Sequence, residues 1–77
     1  MPTIQDCEYA WKRYTKIKEN APEYDKALLE AIDIRFTPAY ASLHENWNES
    51  KAEAFLNGMN YIFPVFGEGD FYQRSGE

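Results

Sequence analysis

Long hydrophobic runs and cysteine pairs are missing from this sequence of 77 residues. Its one cysteine, Cys7, cannot form an intramolecular disulfide, whereas secreted domains of this size usually contain several. The residues before Cys7 have neither a basic start nor an apolar segment, so they do not resemble a signal peptide. No apolar run approaches the roughly 18 residues that a membrane-spanning helix needs. We therefore expect a soluble protein that works in the cytoplasm of its own cell or of a host cell.

Basic residues are also few. Eight Lys and Arg residues stand against thirteen Asp and Glu residues, which gives a formal net charge of −5. Because an acidic surface is repelled by phosphate backbones, we expect no direct binding to nucleic acid. A protein partner with a basic surface fits this charge better.

Motifs that carry chemistry are missing as well. His44 is the one histidine, and it has no nucleophile motif or zinc-binding spacing around it. Residues 68–70 are too few for a calcium-binding loop, which needs about twelve, and residues 67–69 lack the spacing of a glycine-rich phosphate loop. Cys7 lies on the apolar stripe of a predicted helix, where we expect a buried thiol. The sequence therefore predicts no enzymatic activity, no cofactor and no metal site.

Aromatic residues, in contrast, are abundant. Two Trp, six Tyr and five Phe residues make up 17% of the chain. They supply a large apolar area to a small core, and they dominate the binding energy of protein interfaces. Because apolar residues recur at helical spacing, we predict an all-α fold, a small bundle of three to four helices. This domain is expected at residues 1–66, followed by a short irregular tail at residues 67–77.

Capping residues and prolines divide the domain into helical segments. The first is predicted from about Ile4 to Glu19, with Thr3 and Asp6 forming a capping box. The second follows Pro22, which suits the first turn of a helix, and runs to about residue 35. Thr37-Pro38 predicts another restart and a short third helix.

A fourth helix is predicted after a capping box that begins at Ser50, and it ends near Phe63, just before Pro64. Asn57-Gly58 leaves an alternative open, because this pair between apolar residues also favours a β-hairpin. In that case residues 59–66 would be extended.

The second helix is apolar on two sides. Leu28 and Ala31 lie on one stripe, and Leu29, Ile32 and Phe36 lie on the other. Either this helix is central and wrapped by the others, or the first stripe faces the core while the second faces a partner.

These features together favour protein binding. We predict an inhibitor or regulator of a larger protein, one form of which is a phage-type inhibitor whose carboxylates replace phosphates in a nucleic-acid-handling complex. The alternatives are a self-associating structural protein such as a homodimer, or a small subunit of a larger assembly. The residues expected to contact a partner are Tyr9, Leu29, Ile32, Phe36, Trp47, Tyr61 and Tyr72.

Overall fold

The computed structural model describes residues 1–67, and this part of the chain contains helices and no β-strand. Helix α1 spans Ile4–Asn20, α2 spans Lys26–Glu45 and α3 spans Glu49–Val65. A single 3-10 turn at Glu23–Asp25 precedes α2. Each helix contacts the other two, and together they enclose one core. The prediction of an all-α bundle is therefore confirmed for the described residues.

Helix α1 begins where its sequence predicts. The Thr3 hydroxyl accepts a hydrogen bond from the Asp6 backbone N–H, and the Asp6 carboxylate accepts one from the Thr3 N–H, both at 3.1 Å. This reciprocal capping box satisfies two of the four N–H groups that a helix start leaves unpaired. The face that then meets the core consists of Cys7, Ala10, Tyr14 and Ile17.

The separate third helix predicted from Thr37-Pro38 is wrong, because α2 continues through Pro38 to Glu45. Pro38 is exposed, so the Ile34 carbonyl that loses its helical N–H partner can bond to water instead. The helix is also fixed on both sides of the proline. Phe36 packs against the core before it, and Tyr40 stacks on Trp11 after it.

Helix α3 is capped by Asn48, whose Oδ1 accepts a hydrogen bond from the Lys51 backbone N–H at 3.0 Å. The capping box predicted to begin at Ser50 is wrong, since the helix starts just after Asn48. The helix passes through Gly58 without a break, so the helical prediction is confirmed and the hairpin alternative is excluded.

An aromatic cluster joins the three helices at the centre of the bundle. Tyr40 of α2 stacks on Trp11 of α1, with 4.6 Å between ring centroids and 9° between ring planes. Tyr40 also stacks on Phe55 of α3 at 5.7 Å, and Phe55 in turn lies 6.2 Å from Trp11. Because each ring comes from a different helix, this cluster fixes the positions of all three relative to one another.

The orientation of α2 differs from both readings of its sequence. Leu29 is only 5% exposed, and Ile32 and Phe36 pack against the core, whereas Leu28 is 45% exposed and Ala31 is exposed. The expected inner and outer stripes are therefore exchanged, because the Leu29 stripe continues into Tyr40 and Leu43 and buries more apolar area. The helix is not central either, since its opposite side is open to solvent.

Candidate protein-binding surface

The outer side of α2 contains a row of uncharged, small or apolar residues, with the exposed Glu30 and Arg35 on its two flanks. Five exposed residues lie at alternating spacings of four and three, and we call them the α2 stripe: Ala27, Ala31, Ile34, Pro38 and Ala41. A spacing of four and three is the repeat by which one helix packs along another. Ile34 is 75% exposed and is the largest side chain of the stripe.

The α2 stripe is unusual for a helix at the surface of a small bundle. The outer face of such a helix is normally charged or polar, because only the inner face meets the core. In α1, for comparison, the outward positions include Lys12 and Glu19, both exposed. Single exposed apolar residues need no explanation, but a stripe of five over four helical turns is a candidate contact surface.

A groove lies beside the α2 stripe, between α2 and α3. Its cavity is about 400 Å³ in volume, and its floor contains Phe36 and Phe55. The side chains of Arg35, from α2, and Lys51, from α3, also line it. The remaining lining residues are Ala39, Ser42 and Ala54. We call this the α2/α3 groove. Among residues 1–67, both charged residues that line it are cations, although the whole chain carries a net charge of −5.

Three of the predicted contact residues are at the surface. Tyr9 is 52% exposed, and Tyr61 is 81% exposed on the side of α3 opposite the core. Trp47 lies in the connection between α2 and α3, where it is 41% exposed. The role of these three residues in binding stays a prediction.

The other predicted contact residues are not at the surface in this way. Leu29, Ile32 and Phe36 belong to the inner side of α2, so a partner could not reach Leu29 without opening the core. Phe36 reaches solvent only as part of the floor of the α2/α3 groove. Tyr72 lies outside the described residues.

The residues that sequence reasoning missed are those of the α2 stripe and the two cations of the groove. The spacing of four and three from Ala27 to Ala41 was a usable signal. It was hidden by the assumption that Pro38 ends the helix, because a break there divides the stripe into two unrelated parts. The sequence contains no signal that Arg35 and Lys51 line the same groove, since this depends on how α2 packs against α3.

A cation packs over aromatic rings at the contact between α1 and α3. The Arg13 guanidinium carbon is 4.6 Å from the centroid of the Phe63 ring and 6.0 Å from that of Tyr9. Such contacts contribute roughly 0.5–1 kcal/mol at exposed sites. Tyr9 and its basic neighbour therefore have a structural role that does not require a partner.

The two residues with potential chemistry are in structural positions. The thiol of Cys7 is fully buried, and burial together with the negative charges of Asp6 and Glu8 raises its pKa to about 11. A thiol in this state is a poor nucleophile. His44 lies edge-on to the Tyr40 ring, and its Nε2 is 3.8 Å from a Glu8 carboxylate oxygen, which places it at the edge of the core as expected.

Among residues 1–67, no group of three or more His, Cys, Asp and Glu side chains is arranged to hold a metal ion. Within the same residues, no helix combines the length and apolar character required to cross a membrane.

Comparisons with known proteins give no relative for this chain. Its sequence matches no protein-family model and no curated protein, and its fold matches no solved structure.

Proposed function

We propose that this chain is a protein-binding module and that the α2 stripe is its main contact surface. Inhibition or regulation of a larger protein is the purpose that we favour, and catalysis is not part of the proposal. The chain acts in the cytoplasm in this account, as the sequence analysis suggests.

The observation that supports this proposal is the uncharged apolar stripe from Ala27 to Ala41. The alanine and proline side chains of the stripe are small, so they project little from the backbone of α2. Ile34 is the one large side chain that projects from the stripe. A partner helix could therefore approach α2 closely and pack its own side chains around Ile34. The stripe is built on a rigid helix, so little conformational entropy is lost when a partner binds.

A second copy of the chain is the alternative occupant of the stripe. The same spacing of four and three is used by helices that pair with themselves, and a symmetric pair would bring two Ile34 side chains together. This alternative predicts a mass that rises with protein concentration in the absence of any other protein. Binding to a different protein predicts a monomer that forms a complex of fixed stoichiometry.

The experiment that tests the proposal is capture of partners from a lysate of the native source, followed by mass spectrometry. Ile34→Glu places a charge at the centre of the stripe, and we expect it to remove the captured protein without unfolding the bundle. Gln5→Glu is the matched control, because it adds the same charge at an exposed position of α1. Equal capture by the wild type and by Ile34→Glu would contradict the proposal.

The position of the test substitution follows from the structure. A charge at Ile32, which also looks like an interface residue in the sequence, would point toward the core and damage the fold. Ile34 is exposed, so the loss of binding in its variant can be separated from the loss of folding by circular dichroism.

A further inference from the structure

The α2/α3 groove continues from the edge of the α2 stripe. Arg35 and Ser42, which line the groove, follow the stripe residues Ile34 and Ala41 along the helix. A polypeptide that packs on the stripe can therefore extend into the groove without leaving the surface of the bundle. The groove volume of about 400 Å³ falls within the range of ligand-binding pockets.

We propose that the α2/α3 groove receives an acidic peptide segment of the partner, with an aromatic side chain on the groove floor and carboxylates against Arg35 and Lys51. This inference rests on the proposed function, because it describes the chemistry of the partner at the edge of the same surface. It specifies a segment in which Phe, Tyr or Trp is flanked by Asp or Glu.

The aromatic residue of the proposed peptide follows from the two phenylalanine rings on the groove floor. Phe36 and Phe55 lie with their ring centroids 5.9 Å apart and tilted by 55°, and a third ring placed on them would make the offset or edge contacts that aromatic rings prefer. The small side chains of Ala39 and Ala54 leave space above the two rings.

The acidic residues of the proposed peptide follow from the two cations that line the groove, Arg35 and Lys51. Arg35 and Lys51 are both exposed, and neither forms a salt bridge within the described residues. A carboxylate can accept two parallel hydrogen bonds from a guanidinium, and a second carboxylate can meet the ammonium group of Lys51.

The net negative charge of the protein repels an acidic ligand at long range, but the interaction energy of the bound ligand depends mainly on the charges that line the groove. At physiological ionic strength the charges more than about 8 Å away are largely screened. Among the described residues that line the groove, the charged side chains are these two cations, so local attraction exceeds the repulsion from distant carboxylates. This is the opposite of the basic partner surface that the net charge alone suggests.

The test is a fluorescence anisotropy titration of the full chain against a labelled peptide, Gly-Glu-Asp-Phe-Asp-Glu-Gly, with an amidated C-terminus. Two control peptides replace its carboxylates by amides or its Phe by Ala. We expect the parent peptide to bind about tenfold more tightly than the amide control, because two exposed charge pairs contribute up to about fivefold each. It should also bind about tenfold more tightly than the Ala control, because that peptide loses the aromatic contacts with Phe36 and Phe55.

Variants of the protein locate the binding. Arg35→Gln combined with Lys51→Gln should weaken binding of the parent peptide about tenfold. Lys12→Gln combined with Lys16→Gln removes the same charge from the exposed side of α1 and should leave binding unchanged. Arg35→Glu with Lys51→Glu should instead bind a peptide whose acids are replaced by Lys, a gain that an unfolded variant could not show.

The inference is overturned if the parent peptide does not bind up to about 1 mM, or if all three peptides bind alike. It is also overturned if the α1 variant loses binding as much as the groove variant. These failures can be told from failure of the proposed function. If Ile34→Glu still abolishes partner capture while no peptide binds, the stripe is a contact surface and the groove is not part of it. If a peptide binds but Ile34→Glu captures the partner normally, the stripe assignment fails instead.

Discussion

The Tyr14 hydroxyl of α1 donates a hydrogen bond to the Asp33 carboxylate of α2, with 2.6 Å between the two oxygens. The Lys18 ammonium lies 3.2 Å from both oxygens of the same carboxylate. This arrangement joins α1 to α2 on the inner side of the helix whose outer side forms the α2 stripe. It also gives the buried phenol a partner, which a buried hydroxyl needs.

Tyr14→Phe should lower the free energy of unfolding by about 1–2 kcal/mol, because a hydrogen bond to a charged acceptor is lost at a buried position. Lys18→Met should cost less, about 0.5 kcal/mol, since its salt bridge is about one-third exposed and screened by water. Urea denaturation of the two variants measures both values. An equal cost for the two would contradict the dominant role of the hydroxyl.

Gly58→Ala is expected to destabilise the bundle although alanine is the better helix former. A Cβ atom at this position would lie 2.8 Å from Cζ of Phe36, so the ring would have to move. Because Phe36 is held against Phe55, the strain should exceed the gain in helix propensity of about 1 kcal/mol and leave a net loss of about 1 kcal/mol.

The neighbouring variant Asn57→Ala is the control, because residue 57 is exposed on the same helix. It should raise stability slightly through helix propensity alone. Opposite signs for the two variants, measured by urea denaturation, support the close approach of α2 to α3. A stabilising Gly58→Ala would contradict it.

Pro38→Ala tests the continuity of α2. An alanine N–H can restore the hydrogen bond to the Ile34 carbonyl, and we expect a gain of about 1–2 kcal/mol after the loss of the rigidity that proline gives to the unfolded chain. Thermal unfolding followed by circular dichroism measures the gain. If the chain instead turned at Thr37-Pro38, the variant would be neutral or less stable.

Cys7 gives the fold a dependence on alkaline pH. Burial raises its folded pKa to about 11 from an ordinary value of 9.0, so the unfolded chain releases the thiol proton before the folded chain does. The stabilisation is complete below about pH 9 and is lost as the pH rises toward 11, at up to about 1.4 kcal/mol per pH unit. Burial also raises the pKa values of Tyr14 and Tyr40, which extends the loss to still higher pH.

The contribution of the thiol can be isolated with Cys7→Ala. This variant should lose less stability between pH 9 and 11 than the wild type when both are denatured in urea. Parallel loss in the two proteins would show that the thiol titrates normally and is not buried.

The sequence was sufficient for the helices that begin with strong local signals. Thr3 and Asp6 define the start of α1, and the apolar positions from Ala52 to Phe63 define the inner side of α3. Local rules failed at Pro38, where the cost of the missing hydrogen bond is offset by packing of Tyr40 against both Trp11 and Phe55. That packing involves residues distant in sequence, so no local pattern could reveal it.

The proposed contact surface was predictable only in part. High aromatic content suggested an interface, and Tyr61 is exposed as its place opposite the apolar stripe implied. The stripe of α2 that faces inward is determined by the apolar area that residues beyond Pro38 bury. The predicted restart at Thr37-Pro38 assigns those residues to another helix. When α2 is treated as one continuous helix, the apolar pattern assigns Leu29 to the core and Ile34 to the surface.

Site-specific photo-crosslinking in the native cell can show whether the α2 stripe contacts a partner protein. A photoreactive phenylalanine analogue is placed at residue 34, in the middle of the α2 stripe, and separately at residue 12, on the exposed side of α1. We expect one discrete adduct with another protein from position 34 and none from position 12. Adducts from position 12 alone, or from neither position, would contradict the assignment of the α2 stripe as the binding surface.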